Sequence, residues 1–412
     1  MTTIEKLLDA AQKYDTVRRK VLKVISTINP VEMVTPLNFT EAKNDWISKA
    51  ESGFFENPNF IYDPVLLNNI IKKADAIERM KEKIAEITPL NEYEGFLRRH
   101  YSRALGDALK SVDMAKAILA QNDGVLRKQA ISKYGKPVAI KYAADMVKRE
   151  FKYSYSGEEP AFPKEQIQIL NNITLDANFI REIFLWSMKQ YEIEPWPVTI
   201  LKDCTAIDVR DKNSSGRPII AIPASRKMNG TKLAELVGHE IECHWRNSIN
   251  DMFIGCLKTD DEVVYEGVAK IKDMAFQAKI TGAFALPSPY YILAEDMALN
   301  GLSFAKVGRV IFDKTNDLRK AWIFTYRTFR GIADTNNVAR YAFTKDRAYL
   351  DGMIYVQELN RAGLSNYLNF GALSIADLKE LIDLIDKESI MKFALKDRHI
   401  QNNVPVEIIS RL

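Results

Sequence analysis

The chain has 412 residues, 47% of them hydrophobic and 27% charged. That is the make-up of a globular protein with a large core. It excludes collagen, extended coiled coil and wholesale disorder, and the length suggests two to three domains or subdomains. With 58 Lys+Arg against 54 Asp+Glu the net charge is +4, too weak over so large a surface to imply a nucleic-acid partner.

The start, Met1-Thr2-Thr3-Ile4-Glu5, turns acidic at once and has no basic-then-apolar signal pattern. Residues 1–152 read as a helical N-terminal region, punctuated by prolines at 30, 36, 58, 64, 89 and 137. Leu105, Leu109, Val112 and Leu119 recur at helical spacing and predict one apolar face. The short basic run Arg98-Arg99-His100 reads as a solvated helix face. The polar, Pro/Gly-rich stretch Tyr153–Pro163 is the expected boundary, and residues 153–412 form the expected second unit.

That unit opens with β-branched runs at 198–201, 206–209 and 219–222, separated by turn chemistry at Asn213–Pro218. A small sheet with a hairpin is expected over 196–223. Asn229-Gly230-Thr231 then starts a helix whose apolar face is Leu233, Leu236, Val237 and Ile241, the first of the helices expected over 231–280. The uncharged stretch Thr281–Ala294 is too short to span a bilayer and contains Pro287 and Pro289, so no membrane partner is expected. Three cysteines without a Cys-x-x-Cys pattern fit a reducing, cytoplasmic setting. No proline interrupts Tyr290–Val404, and Leu378, Leu381, Ile382 and Ile385 follow a Ser374-x-x-Asp377 helix start. The C-terminal part, 290–404, should be helical, which makes the chain α+β: mainly α with a small β-sheet.

Two of the four histidines fall in Gly238-His239-Glu240-Ile241-Glu242-Cys243-His244. At this histidine frequency, one His-Glu-x-x-x-His arises by chance on the order of 0.3% of the time, so the pattern asks for a reason. Imidazoles are zinc ligands, and a Glu beside the first can act as base toward a zinc-bound water. In a regular helix, however, positions i and i+5 lie about 140° apart around the axis, against about 40° for i and i+4. A π-bulge removes the conflict by widening the turn, so the spacing predicts π winding here. A third ligand is expected from the following segment, where Glu262 and Glu266 stand one turn apart. Glu266 is preferred because Gly267 and Ala269 allow close helix approach beside it. Glu242 and Cys243 are rival donors expected to point elsewhere.

His239-Glu240-x-x-x-His244 followed by Tyr265-Glu266-Gly267-Val268-Ala269 resembles the flavohemoglobin expression-modulating QEGLA-motif family. Its animal members include the tubulin-tyrosine carboxypeptidases. Further resemblances run in order along the chain: Pro58–Tyr62, Ser132–Pro137, Phe329-Arg330-Gly331, and Phe343–Gly352 with its Thr344-Lys345-Asp346 and Tyr349. The resemblance implies a gluzincin-like zinc metallopeptidase core, with His239, His244 and Glu266 holding Zn2+ and Glu240 as base. It also implies that Arg330 and Lys345 bind substrate and that Tyr349 has a catalytic role. Fixed cations suit a terminal carboxylate, and a tyrosine hydroxyl suits a developing oxyanion. The chain departs from the family pattern at Tyr265 and Val268, where Gln and Leu are usual, and it lacks the family's Asn-Gly-x-Gln-Pro run after the helix. The leading expectation is a zinc carboxypeptidase acting on a peptide or protein C-terminus. An aminodipeptidase and a non-catalytic binding protein that retains a zinc site remain the alternatives.

Overall fold

A computed structural model describes residues 3–148, 164–202, 207–210, 218–258, 262–281, 286–336 and 340–385. The expected boundary at 153–163, most of the turn at 213–218 and the chain beyond 385 lie outside the described residues.

Eight helices come first: α1 (Thr3–Ile25), α2 (Pro30–Met33), α3 (Phe39–Glu51), α4 (Pro64–Ile71), α5 (Ala74–Ala85), α6 (Glu92–Leu119), α7 (Asp123–Tyr134) and α8 (Ile140–Val147). Pro30 and Pro64 start helices rather than break them, each following a capping side chain, Asn29 or Asp63. On α6, Leu105 and Val112 are fully buried, but Leu119, the last residue of the helix, is 38% exposed. Met114, Ala115 and Ile118 take its place inside, so α6 is buried on more than the one expected face. His100 is not on a solvated face. It is fully buried, its Nε2 accepts the Leu257 N–H at 2.9 Å, and its Nδ1 lies 3.1 Å from Asp377 Oδ1. An accepting Nε2 leaves Nδ1 to donate to that carboxylate.

After α9 (Lys164–Asn171) and α10 (Ala177–Lys189) come β1 (Val198–Leu201), β2 (Asp208–Arg210) and β3 (Ile219–Pro223). β3 is central and entirely buried, parallel to β1 and antiparallel to β2, so among the described residues β2 is an edge strand. α11 (Gly230–Leu236) starts at Asn229, whose side chain accepts the Lys232 N–H. It runs into a π-helix, Val237–Trp245, and then into α12 (Arg246–Ile254). Gly255 closes α12 at φ +78°, a left-handed position that suits glycine, and a Cβ there would meet Ala11 of α1 at 3.1 Å.

The remaining described elements are mainly helices: α13 (Val263–Thr281), α14 (Tyr290–Leu299), α15 (Phe304–Thr315), α16 (Leu318–Thr328), α17 (Ala348–Arg361) and α18 (Ile375–Leu384). Single 3-10 turns occupy Thr344–Arg347 and Ser365–Asn369. Ser374 caps α18 as its sequence suggests, accepting the Asp377 N–H at 3.1 Å. The architecture is therefore mainly α with a three-stranded sheet. No helix among the described residues is long and apolar enough to cross a membrane.

Among the described residues two large hydrophobic cores are present, beside a small cluster of Ile219 and Ala221 on β3. The larger joins the early helices to the late ones, with Trp46, Phe60, Phe304 and Trp322 at its centre. Ring centroids there lie 5.4–6.2 Å apart (Phe304–Trp322, Phe60–Trp322), and each such pair adds about 0.5–1.5 kcal/mol beyond its burial. The smaller packs α9, α10 and the sheet against α11 and one side of the π-helix, through Ile241 and Trp245. Cys243, between them in sequence, belongs to the larger core. The π-helix thus lies on the seam of the two cores.

Candidate metal centre

Three segments meet at that seam. π winding brings His239 and His244 onto the same side, with ring centroids 4.6 Å apart and planes at 86°. α13 presents Glu266 to both: Oε2 is 3.8 Å from His239 Nε2, and Oε1 is 3.8 Å from His244 Nε2. One ligand atom from each of His239, His244 and Glu266 lies within 4.8 Å of the other two. A tetrahedral zinc with bonds of about 2.05 Å has ligand–ligand edges of about 3.3 Å. The 3.8 Å contacts exceed such an edge by about half an ångström and the widest separation by up to about 1.5 Å, so the triad has to draw in to hold an ion. Glu266 Oε2 is buried without a hydrogen-bond partner, an acceptor on the His239 side of the triad and suited to a cation.

The surroundings orient these groups. Both oxygens of Asp273, two turns beyond Glu266 on α13, lie 3.1–3.2 Å from His239 Nδ1. Donation from Nδ1 turns the free electron pair of Nε2 toward the triad, as a carboxylate behind a metal-binding histidine does. Tyr265 stacks on the His244 ring at 3.9 Å and 16°. Burial opposes charge on His239, but Asp273 prevails and holds its pKa up at about 9. Burial first, and then the charge on His239, push His244 well below the usual histidine range. Burial also lifts Glu240 to about 7 and raises Glu266. These shifts describe the cation-free arrangement, and a divalent ion inverts their logic.

The rival donors lie apart from the triad. Glu242 is 3.7 Å from Lys272. The Cys243 thiol, pushed up to about 12 by burial, lies 3.7 Å from the Tyr265 carbonyl. Glu262 pairs with Lys345, which leaves Glu266 as the carboxylate beside the imidazoles.

Gly267 has a different neighbour from the one its position suggests. A Cβ on it would run into the backbone of Gly352, so the small residue serves the crossing of α13 with α17 rather than approach to the histidine helix. That crossing carries Tyr349 into the site. Lys270 Nζ stands 5.5 Å from its ring centroid, the Arg327 guanidinium 5.9 Å, and the Tyr291 ring 5.9 Å. Burial, and then the Glu266 charge, raise the Tyr349 pKa, so its hydroxyl keeps its proton.

The contacts of Arg330 are with aromatic side chains. Its guanidinium lies 5.4 Å from the Tyr326 ring, and its carbonyl accepts the Tyr341 hydroxyl at 2.6 Å. One turn earlier, Arg327 takes the position beside Tyr349, with Nη1 2.9 Å from Tyr291 Oη and Nη2 2.7 Å from Asp346 Oδ1. Sequence reasoning missed Arg327, which has no motif of its own. It also missed Asp273, although the i, i+7 spacing from Glu266 puts both on one helix face.

A cavity of about 430 Å3 reaches the site's edge at Lys258, whose Nζ is 4.6 Å from the Tyr265 ring centroid. Arg18, Arg19 and Lys23 of α1 also line it, as do Trp196 and Asp251.

A family model described as microtubule-associated tyrosine carboxypeptidase (MATCAP) matches residues 51–407. No curated protein matches the chain.

Proposed function

The chain belongs to the microtubule-associated tyrosine carboxypeptidase family, and from that premise we propose that it is a zinc-dependent carboxypeptidase with a gluzincin-type site. The observation that carries this reading is the meeting of His239, His244 and Glu266 beside Glu240. Two imidazoles and one carboxylate are a zinc donor set that leaves a position open, as hydrolysis requires. Zinc held there supplies Lewis acidity, polarising the scissile carbonyl and making water more acidic.

The chain's own residues do the rest. Asp273 fixes the His239 ring. Glu240, only 7% exposed, takes the proton of the attacking water and passes it to the leaving amine. The Tyr349 hydroxyl, held protonated, donates a hydrogen bond to the oxygen that gains charge. Lys345 binds the terminal carboxylate as a point charge. The edge strand β2 can take an extended peptide as an added strand, and its Asp208 lies within electrostatic reach of Glu240. The basic lining of the adjoining cavity favours an acidic segment ahead of the cleaved end. The family's name suggests a C-terminal tyrosine on a microtubule protein as substrate. The departures at Tyr265, at Val268 and after α12 make terminal-residue preference a matter for direct measurement.

Metal analysis of the purified protein should give about one zinc per chain. Glu240→Gln should keep the zinc and abolish cleavage of peptides ending in tyrosine. Retained cleavage by that variant would refute the mechanism, and a metal-free protein the whole reading. Digestion of a peptide library followed by mass spectrometry reads which residues leave, and from which end.

A further inference from the structure

Three cations surround Glu266 and Tyr349, and each already has an acidic partner. Lys270 Nζ lies 2.7 Å from Asp273 Oδ2, Arg327 Nη2 lies 2.7 Å from Asp346 Oδ1, and Lys345 pairs with Glu262. The charge of Lys345 also acts on Glu266. A substrate carboxylate arriving at these three therefore finds them compensated. Adding a second anion to a buried pair is costly unless one anion leaves.

The three acids are not equally held. Asp273 is 6% exposed and also bound to His239 Nδ1. Asp346 is 3% exposed, under an arginine that Tyr291 holds as well. Glu262 is 17% exposed and stands immediately before Val263, the first residue of α13, where helices fray most readily. Its rotation toward water leaves the Glu266 backbone in place.

Resting on the peptidase reading above, we propose that Glu262 is a displaceable counter-ion of Lys345: the terminal carboxylate of the substrate takes its place, and Glu262 limits how tightly a free C-terminus binds. The exchange swaps one anion for another and keeps the charge of the pocket constant. An amidated end or an internal segment has no charge to exchange and leaves Glu262 where it is. Glu262 thus acts on affinity without touching the reacting atoms.

The test uses the full zinc-loaded chain carrying Glu240→Gln, so that bound peptide is not turned over. Binding of a short peptide ending in tyrosine, as free acid and as amide, is measured by calorimetry with and without Glu262→Gln. We expect the free acid to bind about threefold tighter or better in the Glu262→Gln protein, and the amide to change by less than about twofold. Glu262→Ala should act in the same direction, with circular dichroism confirming the fold of both. Free-acid binding that is unchanged or weaker in both variants overturns the proposal, as does a parent protein that binds acid and amide alike. Lack of cleavage by the unaltered chain, with acid preference intact, would sink the peptidase reading alone. Cleavage with no response to Glu262→Gln would sink this inference alone.

Discussion

Gly352→Ala is the sharpest probe of how the site is assembled. A Cβ on Gly352 falls well inside contact distance of the Val263 carbonyl and 3.0 Å from both N and Cα of Gly267. Carbon atoms prefer about 3.5–4.0 Å, so the methyl sits at least half an ångström too deep against two stretches of backbone, which cannot rotate away as a side chain can. Overpacking costs about 1–3 kcal/mol, and against rigid α13 backbone we expect the upper end, about 3 kcal/mol. α17 must lift from α13, taking Tyr349 away from Glu266. Gly106→Ala on α6 is the control: no atom lies within 4 Å of its Cβ, and removing a helical glycine there should stabilise by about 0.5–1 kcal/mol. Urea unfolding reads both free energies, and peptide cleavage reads the displacement of Tyr349. A Gly352→Ala protein within about 0.5 kcal/mol of the parent would refute the close crossing of α13 and α17.

Three further outcomes are expected. Asp273→Asn should weaken zinc binding about 10- to 100-fold in a chelator competition, since it removes the charge behind His239, and unchanged affinity would remove Asp273 from the metal's support. Tyr349→Phe should lower kcat by about 10²- to 10³-fold with KM little changed, and a pure KM effect would move the hydroxyl from oxyanion stabilisation to substrate binding. Asp377→Asn should cost on the order of 3 kcal/mol at neutral pH, because it breaks a buried pair. Burial alone would raise the Asp377 pKa, but His100 and Arg103 override it and hold it far below the ordinary value. A depressed folded-state pKa gives stability that is complete above the unfolded value, about 3.9, and lost as pH falls from there through the folded value. The gap between parent and variant should therefore be constant above about pH 5 and narrow below about pH 4. A gap that does not depend on pH would contradict the pairing.

Local chemistry was well written in the sequence. The i, i+5 histidine spacing called for π winding, and the helix is wound that way. Asn229 and Ser374 cap the helices they were expected to open, and the three strands fall within two residues of their expected places. What the sequence did not disclose were partners. Periodicity tells which face of a helix is apolar, but not what covers it. His100 looked solvated because its neighbours are arginines, yet the residue that buries it, Asp377, lies far along the chain. Gly267 announced a close approach without saying that Gly352 would meet it. Arg327 and Arg330 are indistinguishable by composition, and only the path of α16 past Tyr291 and Tyr349 separates them.

The wound segment Val237–Trp245 also carries a record of length. A wide turn lets a helix absorb one surplus residue locally, without passing the resulting 100° of rotation, roughly, to everything downstream. Trp245 and Ile249 keep their seats in the smaller core for that reason. A chain shortened by one residue between the histidines could relax to ordinary winding, with the imidazoles at i and i+4 and α12 undisturbed. The five-residue interval and the familiar four-residue one would then be two spellings of one ligand geometry, a single codon apart.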